Sequence, residues 1–124
     1  MRIVLIPAAI LFAAAPGAAS QQAEAPAATP TGAPRNCVAL TQIRRTEVHG
    51  DRIINFVLRD GRVLRNELPL ACPGLGFEER FSYRTSTGQL CSVDTIEVLR
   101  SPGLSGGPTC GLGMFQPVER AAAE

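Results

Sequence analysis

Arg52-Ile53-Ile54-Asn55-Phe56-Val57-Leu58-Arg59-Asp60-Gly61-Arg62-Val63-Leu64-Arg65-Asn66-Glu67-Leu68 holds two apolar-rich runs about one turn. Asp60-Gly61 alone would make a two-residue hairpin. That register sets even positions against odd ones, so Leu58, Phe56 and Ile54 would face Val63, Arg65 and Glu67. A three-residue loop, Arg59-Asp60-Gly61 with Gly61 left-handed, restores sense. Phe56 then faces Leu64, Val57 faces Val63, and Arg65 and Glu67 share the opposite face. This hairpin makes the chain β-structured.

Outward from it, four further strand signals follow the same rule. Strands are expected at Val38 to Val48, Arg52 to Leu58, Arg62 to Leu68, Arg80 to Thr85, Leu90 to Leu99 and Leu112 to Val118. His49-Gly50-Asp51, Pro69 to Gly76, Ser86-Thr87-Gly88 and Ser101 to Thr109 separate them as turns and loops. Short strands at this spacing, with no helical stripe between them, predict an all-β fold: a small antiparallel β-barrel or sandwich of about six strands.

The stretch Cys91-Ser92-Val93-Asp94-Thr95-Ile96-Glu97-Val98-Leu99 breaks its own alternation. A three-residue loop at Ser86-Thr87-Gly88 would place Tyr83 opposite Cys91, Phe81 opposite Val93, and Arg80 opposite Asp94. Ile96 and Val98 return to the apolar face only if a bulge absorbs a residue near Asp94. Asp94 is accordingly read as a bulge residue, its carboxylate taking freed backbone N–H groups, or as the partner of Arg80 in an ion pair. A reactive acid would need partners that the sequence does not place beside it.

The N-terminus has a different composition. Met1-Arg2 gives a short basic start, Ile3 to Ala15 is almost wholly apolar, and Ala18-Ala19-Ser20 offers small residues for cleavage. Residues 1–20 read as a signal peptide, too short and Pro-broken for a membrane span. Residues 21–36 read as a disordered Ala/Pro-rich linker, 37–118 as the β domain, and 119–124 as a flexible tail. No integral span is expected after cleavage, and the location is periplasmic or secreted.

Four cysteines, Cys37, Cys72, Cys91 and Cys110, in an exported chain imply a disulfide framework. The intervals of 34, 18 and 18 residues contain no zinc knuckle and no C-x-x-C redox pair. Three pairings are open. Strands alternating up and down put Cys37 and Cys91 at one end and Cys72 and Cys110 at the other. That favours Cys37–Cys91 with Cys72–Cys110, each worth about 3–4 kcal/mol in the chain-entropy account. Nested Cys37–Cys110 with Cys72–Cys91 is next.

Charge argues against nucleic acid as a partner. All 12 basic residues are arginine, and loss of Arg2 leaves eleven against 11 acidic residues. No G-x-S-x-G turn, H-E-x-x-H or phosphate loop occurs. His49 reads as an exposed turn residue without a nucleophile beside it. Adjacent Glu78 and Glu79 on a strand would point to opposite faces and so cannot flank one bond. Tyr83 reads as core, beside Arg84. No catalytic residue, cofactor or metal is assigned.

Leu68-Pro69 before Cys72-Pro73-Gly74-Leu75, then Phe81-Ser82-Tyr83-Arg84-Thr85-Ser86, Leu90-Cys91-Ser92-Val93-Asp94-Thr95-Ile96, and Cys110-Gly111-Leu112-Gly113 with Phe115 and Pro117, follow one another along the chain. Their order resembles a family of small exported proteobacterial proteins known only as a domain of unknown function. The resemblance implies a Gram-negative envelope and brings no activity. Expected roles are a non-catalytic binding or envelope-maintenance protein, with an envelope protein as the expected partner, contacted through a barrel face or the Ser101 to Thr109 loop. The alternatives are an inhibitor of a cell-wall hydrolase or protease, and a small enzyme on an anionic envelope substrate, using Asp94, His49 or an arginine pair.

Overall fold

The computed structural model describes residues 25–103 and 105–120, together with 4 and 9–11. Nearly all of the signal segment, residues 21–24 of the linker and residues 121–124 of the tail lie outside the described residues. Ten strands, one short α-helix and one 3-10 turn follow in chain order: β1 (Ala28–Pro30), β2 (Cys37–Ala39), the 3-10 turn (Leu40–Gln42), β3 (Ile43–His49), β4 (Ile53–Leu58), β5 (Val63–Glu67), α1 (Leu75–Glu78), β6 (Phe81–Tyr83), β7 (Gln89–Cys91), β8 (Thr95–Arg100), β9 (Ser105–Gly111) and β10 (Phe115–Arg120). They form three antiparallel sheets, ordered β1-β10-β5-β4-β3, β2-β7 and β6-β8-β9. These sheets are open-ended and do not close a barrel.

The central hairpin has the three-residue loop. Phe56 lies opposite Leu64 and Val57 opposite Val63, Gly61 adopts φ 89°, and Leu58 N–H donates to Arg62 O at 2.8 Å. Glycine is required there because a side chain at that φ is strained. Ile54, Phe56, Leu58, Leu64 and Leu68 are buried on the inner face. They share one core with Val38 and Leu90 of the two-stranded sheet, Ile96 and Val98 of the three-stranded sheet, and Leu112 and Phe115. Asn66 also points inward. Its amide Nδ2 donates to Gly113 O at 2.7 Å and its Oδ1 accepts Gly113 N–H at 2.8 Å. A buried amide is tolerable here because the bend before β10 needs both partners. The outer face of β4, unlike a solvated antiparallel face, is also covered. Val57, Val63 and Val118 pack there with Ala28, so β4 is apolar at nearly every position.

Several sequence expectations need correction. Val38 to Val48 is not one strand: the 3-10 turn divides it, sending β2 to pair with β7 and β3 with β4. The hairpin expected at Ser86-Thr87-Gly88 is not formed. Phe81 lies opposite Val98 and Tyr83 opposite Ile96, because β7 is taken up by β2 and only β8 remains to pair with β6. Val93, expected opposite Phe81, is 83% exposed. The Ser101 to Thr109 loop largely becomes β9, paired with β8. Gly107 allows that approach: a Cβ there would meet Val98 O at 2.0 Å.

The segment read as a disordered linker is partly built into the sheet. Ala28, Thr29 and Pro30 pair with Arg120, Glu119 and Val118. Thr31 N–H donates to Pro117 O at 3.0 Å, and Arg35 exchanges backbone bonds with Phe115 at 2.7 and 2.8 Å. Glu119 and Arg120, read as tail, belong to β10. The misreading has a plain cause: β1 is short and Pro-rich and supplies backbone pairing rather than apolar side chains, so hydropathy patterns cannot find it.

Candidate functional site

The β3–β4 turn and the outer face of the large sheet bound a cleft of about 760 Å³, lined by residues that include His49, Asp51, Arg52, Ile53, Arg65 and Glu79. Turn and helix hold its upper rim. Gly76 N–H donates to Asp51 Oδ1 at 2.8 Å, and Cys72 N–H donates to Asp51 O at 2.7 Å. The turn and α1 touch so closely that a Cβ on Gly76 would come within 2.8 Å of the Gly50 backbone. Arg52 is anchored by Nε to Leu68 O at 3.1 Å and Nη2 to Pro69 O at 3.3 Å. Glu79 ends α1 in the left-handed region, φ 55° and ψ 20°. For a residue with a Cβ this stores about 1 kcal/mol of strain, a cost that clusters at functional sites.

The floor is polar. Arg65 Nε donates to Asn55 Oδ1 at 3.0 Å and Arg65 Nη2 to Pro26 O at 2.8 Å. Burial, and secondly the neighbouring Arg120 charge, pull the Arg65 guanidinium below its ordinary pKa. It remains a cation at neutral pH. Among the described residues, two buried side-chain atoms have no hydrogen-bond partner: His49 Nε2 and Asn55 Nδ2. Each such orphan costs about 1–3 kcal/mol unless something satisfies it; of the two residues, His49 lines the cleft, while Asn55 accepts from Arg65, which also lines it.

Glu47 closes the far side of this polar face. It accepts from Arg45 Nη2 at 2.9 Å and pairs with Arg120. Partial burial pushes its carboxyl upward, but the Arg45 hydrogen bond and the charges of Arg120, Arg45 and His49 outweigh this and hold it below the usual carboxylate range. A depressed folded-state pKa contributes stability above the unfolded value and loses it as pH falls through the folded one. Glu47→Gln is therefore expected to lower the unfolding free energy by about 1 kcal/mol at neutral pH. The difference from wild type should close in acid below Glu47's own titration. Urea melts of both proteins across that range measure it.

The residues singled out from sequence fall in different places. Cys37 is bonded to Cys91, and Cys72 to Cys110. Alternating strand directions do not place the first bridge: Cys37 and Cys91 sit directly opposite on neighbouring strands. Arg80 and Asp94 do not meet. Arg80 O accepts from Leu99 N–H at 3.0 Å, five residues along the chain from Asp94. The Asp94 carboxylate instead accepts Cys91 N–H through Oδ2 at 2.7 Å. Asp94 N–H donates to Cys91 O at 2.9 Å, so Asp94 closes a tight turn between β7 and β8 rather than a bulge within one strand.

His49 is not an exposed turn residue. It ends β3 half-buried, opposite Ile53. Glu78 and Glu79 lie at the end of α1 rather than on a strand, and Glu78 Oε2 accepts Ser101 N–H at 3.2 Å. Tyr83 packs partly buried against the core while Arg84 is exposed. Asn55, Arg65, Glu47 and Arg120 were not singled out as a site. Only Asn55 carried a signal, as the one polar side chain inside Ile53-Ile54-Asn55-Phe56-Val57-Leu58.

Among the described residues, no cluster of three or more His, Cys, Asp or Glu is placed to hold a metal ion, and no helix is long and apolar enough to cross a membrane. The two bridges are consistent with a location outside the cytoplasm. Comparison of the chain with protein-family models, curated proteins and solved structures gives no match.

Proposed function

We propose that this protein is a non-catalytic binding domain of the bacterial envelope, periplasmic or secreted, that takes a polar ligand in the cleft between His49 and Arg65. The observation that carries the reading is His49 in the cleft wall, whose buried Nε2 has no partner among the described residues, beside a guanidinium oriented by Asn55. A few fixed polar groups in a cleft of this size are what a small-molecule or headgroup site needs. Disulfides hold such a site in place at little entropic cost on binding. The proposal includes the kinship with small exported proteobacterial proteins, which sets the chain in a Gram-negative periplasm.

The test compares immobilised wild type with a His49→Phe/Arg65→Leu variant as traps for envelope extract. A component retained by wild type and released by the variant, whose melting profile stays cooperative, is the expected result. Identical retention profiles would refute the cleft as the site, and turnover of a retained component would refute the non-catalytic reading.

A further inference from the structure

A second concavity, which shares only Glu79 with the lining of the His49 cleft, lies where two sheets leave edges facing each other. It has a volume of about 430 Å³ and is lined by β3 residues Ile43, Arg44, Arg45 and Thr46 on one side and by Arg80, Phe81 and Tyr83 on the other, with Glu79 and Leu99. β3 is the last strand of the five-stranded sheet and β6 the last of the three-stranded sheet. Among the described residues no backbone hydrogen bond joins them.

The direction of the free backbone groups follows from the bonds already made. Arg59 N–H donates to Gln42 O at 2.9 Å, so the odd positions of β4 turn their backbone groups toward β3. Their partners Arg45, Glu47 and His49 are thereby engaged. Thr46 and Val48, on the alternate positions, direct N–H and C=O away from the sheet. On β6 the Leu99 N–H to Arg80 O bond makes Ser82 the next residue to pair inward with Glu97. Phe81 and Tyr83 then turn their backbone groups outward. Both walls of the groove present strand edges, and the register shift between Ile43 and Arg45 tips Arg44 out of the ladder.

We propose that this groove receives an extended, acidic segment of a partner protein, which adds as a strand to the open edge of β3. Backbone pairing would supply affinity and the alternate side chains selectivity, as in other strand-addition sites. Charge identifies the occupant. Arg44, Arg45 and Arg80 line the groove with Glu79; Arg45 is already paired with Glu47, which leaves two arginines, unpaired among the described residues, against one carboxylate. Arg44 and Arg80 are exposed and enter no ion pair among the described residues. Cationic side chains on an edge also discourage one copy from pairing with another, which leaves the edge free for a chain of opposite sign.

The probe is a short synthetic peptide of alternating Glu and Thr, with an Arg-and-Thr peptide as its counterpart, titrated into the full isotope-labelled chain. The expected result is saturable binding of the Glu peptide, with amide shifts at Thr46, Phe81 and Tyr83 and slowed exchange of the Thr46 N–H. Arg44→Glu/Arg80→Glu weakens it by about tenfold and strengthens binding of the Arg peptide. Thr46→Pro removes an outward donor that the sheet does not use, so it abolishes binding while the melting profile holds. Should that variant unfold, the charge-reversal pair still decides the matter. Equal affinity for both peptides, shifts centred on His49 and Arg65, dimerisation through β3 without peptide, or no saturable binding would each overturn the proposal.

Discussion

Replacing Cys72 and Cys110 together by alanine is expected to lower the unfolding free energy by about 4 kcal/mol, read from denaturant midpoints. The bridge spans a sequence separation of 38. It ties the loop after β5 to β9, and so ties the large sheet to the three-stranded one. Cys72 is fully buried in the shared core, so truncation also leaves a small cavity. A domain of this size holds about 5–15 kcal/mol in total, and the double variant should sit close to its unfolding transition in warm buffer.

Cys37–Cys91, with a separation of 54, removes a similar amount of chain entropy. Its loss should act differently, because the β2–β7 ladder has only three registered pairs to keep it together. Amide exchange should show that small sheet opening first while the large sheet stays protected. Full reduction of the wild type is the control. If reduction leaves the melting midpoint unshifted, the bridges do not hold the fold.

The second large effect is expected at Phe115. Phe115→Ala should cost about 3–5 kcal/mol, whereas Phe115→Leu should recover most of it. The ring is wholly buried and meets Phe56 edge to face, with centroids 5.3 Å apart and planes at 71°. Its backbone bonds Arg35 in both directions and lies opposite Asn66. Removing the ring therefore empties the place where the N-terminal segment, β10 and β5 converge. Urea midpoints give the magnitude, and faster exchange at Arg35 and Phe115 would locate it. A loss below about 1 kcal/mol would contradict this picture of the core.

What could be read from the sequence was what side-chain alternation encodes. Phe56 against Leu64 followed from hydrophobic parity across a glycine-ended loop, a local and self-consistent signal. The pairing of β7 with β2 is long-range, and nothing in Gln89-Leu90-Cys91 names its partner. Alternation alone therefore sets Phe81 against Val93, where the structure pairs it with Val98. Asp94 illustrates the limit. The break in alternation was visible, and its carboxylate does take a backbone N–H, but whether that break was a bulge inside one strand or a turn between two depended on which strands lay alongside. The cleft was less legible still. His49 reads as a turn residue because it precedes Gly50, whereas it ends β3 half-buried beside a turn that α1 packs against through Gly76 and Gly50. Arg120 reached Glu47 only once β10 was known to extend past Val118.

The attachment of Ala28–Pro30 along β10 bears on how this protein should be produced. A recombinant fragment trimmed to begin at Cys37 would retain every cysteine and the inner hydrophobic cluster, yet it would strip the covering chain from Val118 and Pro117. The bared ladder would invite neighbouring molecules to stack on it, so a soluble preparation should begin upstream of Ala25.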